Sequence, residues 1–135
     1  MKVYRYLSED ELRAILSGNT QNIGSYYNNK DFKEVNTHKY KDGVRYLHFF
    51  KDTRFIHQIS YLHQNDKRKY FICQFDIPLK YLIFNIGIGR YETRGYENYC
   101  QSVIEFKMDA KNFNPKWLVT YKLDRTKDMW QKLKD

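Results

Sequence analysis

The chain lacks any apolar run of the roughly 18–20 residues that a membrane-spanning helix needs, and its mean hydropathy is −0.83. No membrane partner is expected. Cysteine is scarce, with only Cys73 and Cys100 in 135 residues. The opening stretch, MKVYRYLSEDEL, is charged within its first turn and has no apolar segment of the secretory kind. With no export signal, the two thiols read as reduced core residues and the expected compartment is cytoplasmic.

Several chemistries are also missing. His57 and His63 are six apart, off a common helical face, and no Cys or acidic residue completes a metal set, so no metal site is expected. Cys100 has no basic neighbour and Ser102 sits in no glycine elbow. No glycine-rich loop has P-loop form. The pair Gly87 and Gly89 leads into no obvious helix and reads as a turn. No internal repeat or linker composition divides the chain. Residues 1–135 read as one domain, with 124–135 as a charged tail.

What is present argues for a packed protein that is either simply basic or has an anionic partner. An aromatic fraction of 18% beside a hydrophobic fraction of 41% excludes a disordered chain. A net charge of +8 favours nucleic acid, acidic protein surfaces or phosphorylated ligands. The charges are spread, with looser groups at Lys67-Arg68-Lys69 and in the tail.

Periodicity predicts a strand over Lys2 to Leu7, then a helix to Leu16, opened by Ser8 with Glu11 three residues on and closed by Gly18. Alternation puts Arg5 on the face of Val3 and Leu7, between Tyr4 and Tyr6 on the other. Asn19 to Gly43 is a long polar loop in which Tyr26, Tyr27, Phe32 and Tyr40 either pin the segment or stack on a planar ligand. A strand follows over Val44 to Phe50, then a helix over Arg54 to Gln64. The strand over Tyr70 to Ile77 places Phe71, Cys73, Phe75 and Ile77 on one face, and Pro78 stops it. Leu79 to Ile88 holds a turn or one helical turn and then a strand. Strands are expected over Cys100 to Met108 and Trp117 to Leu123, with Met129, Trp130 and Leu133 at helical spacing in the tail. The expected class is α+β, with a split, mostly antiparallel sheet and two early helices.

Glu105, between Ile104 and Phe106, is the most informative charge. If Phe106 points into a core, Glu105 shares the opposite face with Val103 and Gln101. A carboxylate held in mid-strand is either a solvated outer residue or a charge aimed into a cleft, and the rest of the chain favours the cleft.

VYRYLSEDELRAILSG resembles the first motif of the ADP-ribosyltransferase superfamily, in which a strand-borne His or Arg precedes a helix. Tyr46-Leu47-His48-Phe49-Phe50 before a helix is similar to the second motif, and Glu105 in QSVIEF stands where the third places its glutamate. Together these cover nearly the whole chain. Two departures are visible: Val103 stands where many members that modify proteins or nucleic acids carry Glu or Gln, and the second motif lacks Ser-Thr-Ser. The resemblance implies an NAD-dependent mono-ADP-ribosyltransferase with a nucleic-acid or protein acceptor. It implies Glu105 and Arg5 as catalytic residues facing one NAD-sized cleft. Tyr4, Tyr6, Tyr46, His48, Phe49, Phe50 and Gln101 are implied for NAD binding, and Tyr91, Arg94 and Tyr96, on the loop before Glu105, for the acceptor.

Two rivals come from other classes. Histidines such as His48 and His57, with Lys and Tyr, suit a toxin-like module that binds or cleaves RNA by acid/base chemistry near neutral pH. The third reading is a non-catalytic interaction protein on the same scaffold.

Overall fold

A computed structural model of the chain describes residues 1–20, 45–53, 60, 63, 65, 67–85 and 104–134. Its strands are β1 (Lys2–Ser8), β2 (Tyr46–Phe50), β3 (Tyr70–Asp76), β4 (Ile83–Asn85), β5 (Glu105–Asp109) and β6 (Leu118–Leu123). Two helices are described over their span, α1 (Glu9–Leu16) and α2 (Thr126–Lys134), with short 3-10 turns at Leu79–Tyr81, Ala110–Asn112 and Pro115–Trp117; Ser60 is also helical. The class is α+β, and no described helix is long and apolar enough to cross a membrane. The helix expected over 54–64 falls outside the described residues except at Ser60 and His63, and the loops over 21–44 and 86–103 fall outside them altogether.

The strands form one six-stranded sheet in the order β4-β5-β2-β1-β3-β6, and every described pairing is antiparallel. The two halves are knit unequally. β1 and β3 pair along seven residues, from Lys2↔Asp76 to Ser8↔Tyr70. β2 and β5 pair along five, from Tyr46↔Asp109 to Phe50↔Glu105. Between the halves, β1 and β2 share the single register pair Tyr4↔Phe50. The sheet is therefore continuous but nearly divided at its centre.

α1 forms where a helix start is written into the sequence. The Ser8 hydroxyl accepts from the Glu11 amide at 3.4 Å, acidic residues occupy the first turn, and Gly18 at φ +80° closes the end. Leu12 and Ile15 bury their stripe in one cluster with Val3, Leu7, Leu47, Phe49, Cys73, Phe75, Ile77, Phe106 and Met108. This is the apolar face of the sheet. Phe49, Phe75 and Phe113 meet there with ring centroids 5.5–6.4 Å apart, which adds about 1 kcal/mol per aromatic pair to the area buried.

Candidate active site

Residues directly opposed in a sheet share a face, and neighbours along a strand do not. The register runs Tyr4↔Phe50 and Phe50↔Glu105, so Tyr4, Phe50 and Glu105 share the face away from the apolar core. His48↔Lys107 and Tyr46↔Asp109 lie on it too. β5, β2 and β1 thus carry onto three adjacent strands residues that are about a hundred positions apart in the chain.

Glu105 is 0% exposed, and His48 meets it: Nδ1 lies 2.7 Å from Oε1, with the His48 side chain 21% exposed. That distance is hydrogen-bonding, and it fixes the orientation of both groups. Beside the pair, the Lys107 ammonium lies over the Tyr46 ring at 4.4 Å from its centroid. Carboxyl, imidazole, ammonium and two aromatic side chains, Tyr46 and Phe50, therefore gather on β2 and β5.

Arg5 and Glu105 do not face one cleft. Arg5 stands on the apolar face with Val3 and Leu7, as alternation along β1 requires. Its guanidinium lies 5.9 Å over the Phe49 ring, 3.5 Å from Glu11 Oε2, and donates from Nη1 to the His48 carbonyl at 3.0 Å. β1 reaches Glu105 only through β2, and the register of that junction turns Arg5 away. Phe49 is corrected in the same way: it is fully buried in the core, on the face opposite Phe50 and His48.

Tyr6 shares the face of Tyr4 but is held by other groups. Its hydroxyl donates to Asp124 Oδ2 at 2.6 Å, and Ser60 Oγ donates to the same oxygen at 2.5 Å. The Tyr6 ring stacks on Tyr70 at 5.0 Å, and His63 stacks on Tyr70 at 4.3 Å. Burial first, and the Asp124 bond second, raise the Tyr6 phenol well above its ordinary range. Asp124 Oδ1 also accepts from the Thr126 amide at 2.9 Å at the start of α2, and Lys127 Nζ donates to the Arg68 carbonyl at 2.6 Å. This cluster docks α2 and the segment before β3 onto β1.

Gln101, Tyr91, Arg94 and Tyr96 lie outside the described residues. Sequence reasoning passed over Lys107, although it sits two positions from Glu105 and so had to share its face. It read Glu11 only as a helix start and not as the partner of Arg5, and it passed over the roles of Ser60 and Asp124, whose contacts join segments far apart in the chain and leave no local signal.

No family model, no curated protein and no solved structure matches this chain.

Proposed function

We propose that the chain is an NAD-dependent mono-ADP-ribosyltransferase acting on a nucleic-acid or protein acceptor. The observation that carries this reading is the Glu105–His48 pair, a strand-borne carboxyl group fixed at 2.7 Å by an imidazole on the neighbouring strand. The resemblance assigns its three motifs to an early strand, a second strand and a late strand, and those strands are neighbours in the order β5-β2-β1. The near division of the sheet between β1 and β2 supports it as well.

The residues on this face fit NAD. Loss of nicotinamide from NAD builds positive charge at the ribose C1′, which an oriented carboxylate opposes through its field and its hydrogen bonds. Glu105 is the group placed for that role, and His48 holds its rotamer. Tyr46, partly exposed with Lys107 over one side of its ring, offers the other side to a heteroaromatic ring, while Phe50 is buried. Lys107 supplies a cation beside Glu105 on this face for a diphosphate, a role that Arg5, on the other face, does not fill.

The direct test is release of free nicotinamide from NAD by the purified protein beside Glu105→Gln. The expected result is turnover by the parent and a loss of about two to three orders of magnitude in the variant. Turnover that survives Glu105→Gln, or no turnover by the parent, sinks the transferase reading.

A second reading is favoured by the same pair. A buried carboxyl group on one nitrogen of a half-exposed imidazole is also how a general acid/base histidine is oriented. RNA cleavage lost in His48→Gln, with NAD untouched, would select that chemistry instead.

A further inference from the structure

We propose that Arg5 is a positioning residue: from the far side of the sheet it sets the His48–Glu105 pair. The proposal rests on the reading above that this pair marks the reacting face.

β1 and β2 should be held together by a ladder, yet Tyr4↔Phe50 is their one register pair among the described residues. Beyond that point the Arg5 side chain adds a link, its Nη1 donating to the His48 carbonyl at 3.0 Å. His48 is the residue whose ring holds Glu105. The other end of the guanidinium lies 3.5 Å from the Glu11 carboxylate, and Glu11 is held in the first turn of α1, directly after the Ser8 cap that ends β1. Phe49, beside His48 on β2, lies under the guanidinium. A planar, permanently charged fork with donors at fixed angles suits a brace between a helix and a strand. Arg5 is 15% exposed and stands behind the strand that it braces, which is the wrong side for contact with a ligand at Glu105. A displacement of about 1 Å at a catalytic group costs on the order of a hundredfold in rate, so a brace on the His48 backbone is enough to govern turnover.

The test compares Arg5→Met and Arg5→Lys with Arg13→Ala, which removes an exposed arginine paired with Glu9 on α1. The first readout is independent of activity: the imidazole proton and nitrogen resonances of His48, which report the Nδ1 contact with Glu105. The second is kcat against KM for nicotinamide release. Expected are loss of the His48 signature in folded Arg5→Met, partial return in Arg5→Lys, and none of this in Arg13→Ala. With it, kcat should fall about 10- to 100-fold while KM stays within about twofold, as for a group lost only from the transition state. An intact His48 signature with a raised KM overturns the proposal and makes Arg5 a substrate-binding residue. If the parent releases no nicotinamide, the transferase reading falls alone and the His48 signature decides the role of Arg5. If Arg5→Met does not fold, Glu11→Gln removes one anchor and keeps the guanidinium. A shifted His48 signature there supports the brace, and an unchanged one overturns it.

Discussion

Arg5 and Glu105 occupy opposite faces of one sheet, yet both touch His48: Arg5 reaches its carbonyl and Glu105 its ring. The strand between them converts a contact on the apolar face into the placement of a carboxyl group on the other. Three predictions follow from this arrangement and from the buried groups around it.

The His48–Glu105 contact should appear as energetic coupling. His48→Ala leaves a fully buried carboxyl group without its imidazole, at a cost of about 1–3 kcal/mol. Combined with Glu105→Leu, the loss should fall short of the sum of the single variants by about 0.5–3 kcal/mol. Urea unfolding of the four proteins measures it, and strict additivity would remove the contact from the account.

Removing the Tyr6 hydroxyl alone should lower stability. Tyr6→Phe keeps the stack on Tyr70 and removes the 2.6 Å bond to Asp124, for a loss of about 1.5–3 kcal/mol. Asp124→Ala should cost more, since it also strands Ser60 and the Thr126 amide at the start of α2. Equal losses in the two variants would contradict the cluster described here.

Alkali should destabilise the fold through Cys73. Burial is the main cause that pushes this thiol up from 9.0 to about 12. Between those values the native state keeps a proton that the unfolded chain has released, so stability is full below pH 9 and falls as pH rises, with a slope approaching about 1.4 kcal/mol per unit. Tyr6, also raised, acts in the same direction only at higher pH, because its ordinary value is 10.0. Chemical denaturation between pH 9 and 10 should therefore show a falling stability in the parent and a flatter one in Cys73→Ala. Equal slopes would place the loss elsewhere.

Much of this architecture is written locally. Ser8, Glu11 and Gly18 announce α1, and the observed helix runs from Glu9 to Leu16 between them. Phe71, Cys73 and Phe75 alternate along β3 and, with Ile77 just past its end, turn to the core, Phe71 less deeply buried than the others. Of the strand expected over Cys100 to Met108, the structure describes Glu105 to Asp109 as strand, and Cys100 to Val103 lie outside the described residues.

Alternation by itself also placed Arg5 with Val3 and Leu7, and Glu105 away from Phe106, because side-chain direction in a strand is a two-residue local property. Whether those two faces were the same was beyond it. That depended on which strands are neighbours and in what register, and Tyr4↔Phe50 and Phe50↔Glu105 decided it. A shift of one residue at either junction would have put Arg5 and Glu105 on one face. The sequence by itself determined the strands, the first helix and the sidedness of each residue within its own strand. Only the tertiary structure decided that Glu105 meets His48 and that Arg5 braces His48 from behind, because those contacts join segments separated by dozens of residues and depend on register.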